Sequence, residues 1–300
     1  MWPRKVQWKQ LRFGVEIEFV GGSPSEIELL PGWVMALDEL HTDANGVDTG
    51  AELKPPPMLW QDRDQIGVML RRLREHGVQA TWSCGLHVHV GLAHWGEDIV
   101  IPLVDAALAT QDALERLLQT SAHRRVFAPP VAAEMREKYL REPIRDSLCY
   151  TGRPESHRCG INVAAWFDFG TVEIRFANGS LDEEEVLRTI ELCLRYVAAI
   201  GEGRTLPGGA GALAEALGAP AEGYPAAAPA PKWHLDRMHL ADALIPVLAP
   251  CLTEIVEDGE ILEIHPSPEG ITILTENEAC EKSRWFVRMP KEGWKLERID

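Results

Sequence analysis

Several features that mark other protein classes are missing from this chain of 300 residues. The six cysteines are dispersed, with no C-x-x-C pair, which excludes finger-type structural zinc and indicates a reducing compartment. The longest apolar run, residues 99–118, is interrupted by charged and amide side chains and cannot span a bilayer. The basic N-terminus has no apolar segment behind it and is not a secretory signal. We therefore expect a cytoplasmic protein.

Basic residues are also scarce, with 30 Lys and Arg against 46 Asp and Glu and a formal net charge of −16. Nucleic acid and anionic membranes require a broad basic surface, so we expect neither as a partner. The G-x-x-x-x-G-K-[ST] phosphate loop is absent as well. The share of hydrophobic residues, 45%, is that of an ordinary globular chain.

Composition divides the chain into two parts. Residues 206–231 are nearly all Ala, Pro and Gly and predict a semi-flexible linker, with a short helix over 212–217 inside it. This gives a first domain of residues 1–205 and a small α+β domain of residues 232–300, in agreement with about 150 residues per domain. The small domain has a helical segment and four strand-like runs, which cover residues 233–257, 260–265, 271–275, 284–289 and 294–298.

In the first domain, four short segments alternate apolar and ionisable residues, as strands with one buried face do. Amphipathic helical patterns lie between and after them, and the last of these opens with Asp182 and Glu185 at capping-box spacing. The fold class is therefore α+β, an antiparallel sheet with helices on one face and ionisable groups on the other. The strands are residues 12–20, 50–54, 86–90 and 171–176, and the helices are residues 61–76, 98–119 and 182–200.

Glu16 and Glu18 project from the same face of the first strand, with Cα atoms roughly 6.5–7 Å apart. Like charges this close are unfavourable unless a cation or a basic group lies between them. Carboxylate oxygens on a rigid strand suit Mg²⁺ or Mn²⁺ better than zinc. The alternative is an exposed strand face with solvated carboxylates.

The same spacing occurs in His87 and His89, in Glu173 with Arg175, and in Glu52 with Lys54. The histidines are candidates for metal ligation or for hydrogen bonds to phosphate, and the arginine for bidentate binding of a phosphoryl group. Each pair alone also fits a half-exposed strand with histidines or a same-face ion pair. Four strands that all carry ionisable groups on one face are harder to explain as solvated surface.

The motifs on these strands resemble one known family. They are GVEIEF from Gly14, ELKPPP from Glu52, CGLHVHVG from Cys84, NVA from Asn162 and GTVEIRFANGS from Gly170. In order and spacing they are similar to the putative amidoligase family, which belongs with the glutamine synthetase-like carboxylate–amine ligases. The resemblance covers about residues 11–200 and does not extend to residues 206–300.

The resemblance implies a glutamine synthetase-like sheet with ATP and Mg²⁺ (or Mn²⁺) on the face opposite the helices. It assigns metal binding to Glu16, Glu18 and Glu52, and catalysis to Arg175, with Glu173 and Lys54 beside it. Lys54 departs from the family, whose members carry a small polar residue there. Cofactor binding falls to His87, His89 and Asn162, with Arg158 and one of Arg124 and Arg125 as looser matches.

The implied activity is ATP-dependent formation of an amide bond from a carboxylic acid and an amine, through an acyl phosphate. An amino acid, a peptide and a polyamine are all candidate substrates, and residues 232–300 are a candidate surface for a protein or peptide partner. Two alternatives stay open. One is a zinc-dependent hydrolase that uses His87, His89 and a carboxylate. The other is an inactive ligase-like fold that serves as a binding module.

Overall fold

The computed structural model of the chain describes residues 1–150, 159–252, 260–267, 269–277, 281–288 and 295–298. The chain divides into two compact units, and residues 1–149 and 157–229 form the first of them. Its elements, in chain order, are β1 (Phe13–Phe19), β2 (Val34–Ala36), β3 (His41–Thr42), β4 (Asp48–Thr49), β5 (Ala51–Lys54), α1 (Asp64–Glu75), β6 (Gly85–Gly91), α2 (Val100–Leu117), α3 (Ala133–Arg141), β7 (Ile161–Asn162), α4 (Ala165–Phe169), β8 (Thr171–Asn178), α5 (Glu183–Gly201) and α6 (Ala210–Leu217).

Six of these strands form one antiparallel sheet in the order β2-β5-β1-β6-β8-β7. The register places Glu16 opposite His87 and Glu18 opposite Glu52. It also places His89 opposite Glu173. Because directly paired residues point to the same face, the ionisable side chains of four adjacent strands are collected on one side of the sheet.

The other face of the sheet is apolar and is covered by helices. Phe13, Val15, Ile17 and Phe19 of β1 are all almost completely buried. Helix α5 packs against β1 and β6, and α2 packs against β8. This confirms the α+β class with helices on one side. None of the described helices combines the length and apolar character that a bilayer crossing requires.

Helix α5 begins at a side-chain cap. The carboxylate of Asp182 accepts hydrogen bonds from the backbone N–H groups of Glu184 and Glu185, which satisfies two of the free donors at a helix start. In a capping box, the Glu185 side chain would accept a hydrogen bond from Asp182 N–H. Here Ser180 Oγ accepts that hydrogen bond instead, and it donates to the Glu185 carboxylate. The predicted helix start is therefore confirmed with a different second partner.

The expectation of a linker over residues 206–231 differs from the structure, in which residues up to 229 belong to the first unit. Helix α6 packs against α2 and α5 and buries Leu213 and Leu217. Beyond it, the side chain of Asn178 donates to the carbonyl of Pro225. The few large apolar groups of this segment are enough to hold it, because the alanines of α6 allow close helix packing. The boundary thus falls after residue 229 rather than after residue 205.

The second unit contains residues 230–300. Its described elements are α7 (Lys232–Leu252), β9 (Glu260–Ser267), β10 (Gly270–Glu276), β11 (Lys282–Arg288) and β12 (Lys295–Arg298). The strands form an antiparallel sheet in the order β12-β11-β10-β9, and Leu248, Ile264, Ile273 and Trp285 lie in its core. All four predicted strands are present. The expected helical residues 253–257, together with Met289 and Trp294, lie outside the described residues.

Candidate functional site

Glu16 is the centre of the ionisable face. Its Oε2 lies 3.1 Å from His87 Nδ1, and its Oε1 lies 3.4 Å from His89 Nε2 and 3.5 Å from Lys54 Nζ. Burial raises the pKa of this carboxyl, but hydrogen bonds and charge from both histidines outweigh it, and the net pKa lies well below the ordinary value. Glu16 is therefore ionised and is shared between the β5 and β8 sides of the site.

Two groups of side chains around Glu16 have the geometry of metal-ligand sets. One contains Glu16, His89 and Glu173, and the other contains Glu16, Glu52 and His87. Within each set, one ligand atom from every residue lies within 4.8 Å of the others. Ligands on opposite sides of a Mg²⁺ ion are about 4 Å apart, because each lies about 2.1 Å from the ion. Small side-chain adjustments would therefore let each set hold one cation, with Glu16 common to both.

The two histidines are held in fixed orientations. His89 Nδ1 lies 2.9 Å from Thr171 Oγ1, which leaves Nε2 facing Glu16 and Glu173. Burial lowers the pKa of His89, but the Glu16 hydrogen bond and the Glu173 charge raise it above the usual value overall. On the other side, His87 is almost fully buried between Glu16 and Glu18. Both rings therefore face carboxylates from adjacent strands.

Glu18 lies outside the two ligand sets. Its carboxylate accepts a hydrogen bond from Gly85 N–H, and its Oε1 lies 3.2 Å from His87 Nε2. Burial raises the pKa of Glu18, but the charges of His87, His41 and Arg124 lower it to about 2. In this position the ionised carboxylate orients His87 and holds the start of β6. Metal binding by Glu18 stays a prediction.

The side chains of Glu52 and Lys54 contact each other beside Glu16. Lys54 Nζ lies 2.6 Å from Glu52 Oε2 and 3.5 Å from Glu16 Oε1. Burial and the Glu16 charge raise the pKa of Glu52 to about 9, so this carboxyl holds a proton at neutral pH when no cation is present. Burial lowers the pKa of Lys54, but the Glu52 hydrogen bond and the Glu16 charge raise it to about 12, so the ammonium is charged at neutral pH. Binding of a divalent cation by this set would release the Glu52 proton.

At the β8 end, Glu173 is held by two neighbours. The Arg175 guanidinium donates to its Oε1, and Asn162 Nδ2 donates to its Oε2 at 2.8 Å. Burial raises the pKa of Glu173, but the charges of Arg175 and His89 lower it below its usual value. Asn162 Oδ1 and Arg175 Nε are buried and have no hydrogen-bond partner among the described residues.

Arg124 reaches the site from the short 3₁₀ helix Ala122–Val126. Its guanidinium is buried and donates to the carbonyls of Cys84 at 2.8 Å and Arg175 at 3.3 Å, and it lies 3.4 Å from His87 Nε2. Gly85 makes room for it, because a Cβ there would lie 2.0 Å from Arg124 Nη2. Of the two arginines considered at this point, Arg124 is the one brought to the site.

Two other expected arginines are not part of the described site. Arg125 is turned away and pairs with Glu115 of α2, with 2.6 Å between Nη2 and Oε2. The reason is that neighbouring residues of the short 3₁₀ helix Ala122–Val126 point in different directions. Cofactor binding by Arg125 stays a prediction, and its described position does not favour it. Arg158 lies outside the described residues.

His41 was not found by sequence reasoning. The hairpin of β3 and β4 brings its Nδ1 to 3.7 Å from Glu18 Oε2, and Ser83 Oγ fixes the hairpin by donating to the carbonyl of Thr42 at 2.6 Å. Burial lowers the pKa of His41 below its usual value. No alternating pattern surrounds this histidine, so only the tertiary contact reveals it.

A cavity of about 380 Å³ adjoins the ligand sets, which is within the usual range for small-molecule sites. Glu16 and His89 line it together with Lys54. Its other walls include residues that the sequence did not indicate: Arg12, Phe169 and Thr171, besides Pro55 and Pro57 of the proline motif. Glu16 and His89 therefore face an open space of ligand size.

Comparison with known proteins gives one family match. No curated protein matches the chain. The family model described as "Putative amidoligase enzyme" matches residues 26–197, more than half of the sequence. The matched segment contains Glu52, His87, His89 and Glu173, while Glu16 precedes it. The chain thus belongs to the amidoligase family.

Proposed function

We propose that this amidoligase joins a carboxylic acid to an amine with consumption of ATP, through an acyl phosphate. The observation that supports it most is the sharing of Glu16 between two candidate cation sets beside an open cavity. Paired cation sites are typical of enzymes that move phosphoryl groups, because two cations can neutralise several phosphate oxygens at once. A zinc hydrolase that places His87 and His89 on one ion has less support, since the histidines fall in different sets.

The reaction mainly requires charged groups that hold the reactants in place and stabilise the phosphate oxygens. A carboxylate oxygen of the acid attacks the γ-phosphorus of ATP, the bond from that phosphorus to the bridging oxygen breaks, and ADP leaves. The amine nitrogen then attacks the acyl carbon, phosphate departs with the electron pair, and the amine loses a proton. Both steps place negative charge on phosphate oxygens, which fixed cations stabilise.

The charge balance of the site suits this task. Oxygen-rich sets with one imidazole are compatible with Mg²⁺ or Mn²⁺, which would neutralise phosphate oxygens when bound. With the Glu52 proton in place, the buried carboxylates and the permanent cations balance. A divalent ion would add two positive charges against the one proton that Glu52 would release, so bound ions would make the site positive and favour a polyphosphate. The carboxylates are Glu16, Glu18, Glu52 and Glu173, and the cations are Lys54, Arg124 and Arg175.

Within this proposal, each side chain has a role that its position allows. Arg175 is the group that would contact the transferred phosphoryl, because its guanidinium lies beside the ligand sets, where Glu173 fixes its Nη1. Asn162 holds the other oxygen of Glu173 and orients that carboxylate. Lys54 neutralises Glu16 and Glu52 on the β5 side.

The test compares Glu16→Gln with Glu215→Gln, an isosteric change at an exposed position of α6 in the same unit. ADP release from Mg-ATP is measured with pools of amino acids, peptides and polyamines, with hydroxylamine as a trap for the acyl phosphate. We expect Glu16→Gln to reduce turnover by at least about 10²-fold, the usual effect of removing one group that stabilises developing charge. Glu215→Gln should match the wild type. Retained turnover in Glu16→Gln would refute the site assignment, and stoichiometric zinc with no ATP binding would favour the hydrolase.

A further inference from the structure

The Lys54 ammonium contacts two of the three side chains of one ligand set. The sets are named here by their outer strands: the β5 set contains Glu16, Glu52 and His87, and the β8 set contains Glu16, His89 and Glu173. Lys54 Nζ lies 2.6 Å from Glu52 Oε2 and 3.5 Å from Glu16 Oε1, so it bridges both carboxyl groups of the β5 set. A lysine ammonium is a compact point charge, and it can therefore take the place of a metal ion between two carboxyl groups.

The third member of the β5 set, His87, also has its partners already. Its Nδ1 lies 3.1 Å from Glu16 Oε2, and its Nε2 lies 3.2 Å from Glu18 Oε1. Both ring nitrogens therefore face carboxylate oxygens, and a metal ion could reach Nδ1 only if Glu16 gave up this contact. The β5 set is thus internally paired by an ammonium and an imidazole without any added ion.

The β8 set lacks such a bridge among the described residues. Within this set, Lys54 reaches only Glu16 and Arg175 reaches only Glu173, so no lysine or arginine joins the two carboxylates. One nitrogen of His89 is taken by the Thr171 hydroxyl, and the other, Nε2, lies 3.4 Å from Glu16 and 3.8 Å from Glu173. Two carboxylates and one imidazole nitrogen therefore converge on a position that no basic side chain bridges.

We propose that Lys54 occupies the β5 set as a built-in cation, so that the free protein binds one divalent ion, in the β8 set. A divalent ion in the β5 set would lie close to the ammonium and would share Glu16 with the first ion, and like charges so close together repel. The inference rests on the cation sets of the proposed function and deepens it by assigning Mg²⁺ or Mn²⁺ to one of them. The pair of positive charges beside Glu16 then consists of an ammonium and a divalent ion.

The test counts the Mn²⁺ ions that bind to the full chain, freed of metal with EDTA and dialysed, in the absence of nucleotide. Equilibrium dialysis followed by metal analysis gives the number of ions per chain. The wild type should bind one ion. Lys54→Met removes the ammonium and should bind two. The Lys54 side chain is 35% exposed, so this change leaves no buried void, and circular dichroism verifies that the variant is folded.

Further variants locate the ions. Lys54→Met combined with Glu52→Gln removes one carboxyl group of the β5 set and should return the count to one. Glu173→Gln alone should weaken the single ion of the wild-type background at least about 10-fold, because Glu173 belongs to the β8 set. Lys5→Met is the matched control, because it removes an exposed ammonium that lies 3.0 Å from Glu202 and contacts neither set. It should bind one ion, as the wild type does.

Two ions of similar affinity in the wild type, or one ion in folded Lys54→Met, would overturn the inference and leave the proposed function standing. Unchanged affinity in Glu173→Gln would overturn the assignment of the ion to the β8 set. A wild type that binds no Mn²⁺ would overturn the inference and also remove the main support of the proposed function. If the predicted counts were found but no pool of substrates gave ADP release, the proposed function would fail while the role of Lys54 held.

Discussion

At the scale of single residues, two neighbouring carboxyl groups of the site have pKa values that are shifted in opposite directions. Glu16 and Glu52 are neighbours on adjacent strands, and both contact Lys54. One carboxyl has its pKa lowered by two histidines, while the other has its pKa raised to about 9 by burial and by the first. Strongly shifted pKa values on adjacent groups are typical of functional sites.

The raised pKa of Glu52 predicts how stability depends on pH in the metal-free protein. Above its ordinary value of 4.5 the unfolded chain loses this proton while the folded chain keeps it, so the free energy of unfolding falls as pH rises toward about 9. Glu52→Gln removes this decrease in the free energy of unfolding, because the amide side chain does not titrate. We expect the variant to be more stable than the wild type at pH 8 by several kcal/mol, at most about 5, with little difference at pH 5.

Thermal unfolding in EDTA at the two pH values measures this effect. Glu16→Gln is the control of opposite sign, because its folded pKa is lowered and the stabilisation that its charge contributes is present above 4.5 and lost as pH falls. This variant should therefore melt below the wild type at pH 8. If Glu52→Gln also melted lower there, Glu52 would be ionised and paired with Lys54, contrary to our account.

At the scale of elements, periodicity revealed the strands that carry the site and missed those that are too short for it. β1, β5, β6 and β8 were all predicted, because each is long enough to alternate. β2 and β7 have three and two residues and show no pattern. The β3–β4 hairpin is equally short, which is why His41 escaped notice. Tertiary pairing, not local preference, forms these strands.

The cap of α5 carries a prediction at this scale. Asp182→Ala leaves the N–H groups of Glu184 and Glu185 without their acceptor and should cost about 1 kcal/mol, which lowers Tm by about 2–4 °C. Asp182→Asn keeps a capping oxygen and should melt close to the wild type. Circular dichroism measures both, and ADP release should be unchanged because the cap makes no contact with the ligand sets. An unaltered Tm in Asp182→Ala would mean that the cap contributes nothing.

At the scale of the whole molecule, the sequence predicted which residues share a face but not every residue that reaches it. Because each strand buries its apolar face against the helices, alternation places Glu16, His87 and Glu173 on the opposite side of the sheet. It cannot tell which way a loop arginine points, and the choice between Arg124 and Arg125 depended on packing around Gly85. Composition also led us to predict a linker where residues 206–229 belong to the first unit. A helix of small residues packs well without many large side chains.

Truncated chains test whether the first unit ends after residue 229 or after residue 205. A chain ending at residue 229 keeps α6 and should fold, bind Mg-ATP and release ADP with small substrates, unless residues 230–300 are needed for recognition. A chain ending at residue 205 loses the burial of Leu213, Leu217 and Tyr224 and the hydrogen bond from Asn178 to Pro225.

Each buried leucine contributes about 1.5–3 kcal/mol, so the second truncation removes a large part of the 5–15 kcal/mol that stabilises an ordinary domain. We therefore expect the shorter chain to melt far below the longer one or to aggregate. Leu213→Ala with Leu217→Ala in the full chain is the matched variant, since it removes the two buried leucine side chains without shortening the protein, and it should also lower Tm. Equal Tm values for the two truncated chains would restore residues 206–229 to the role of a linker.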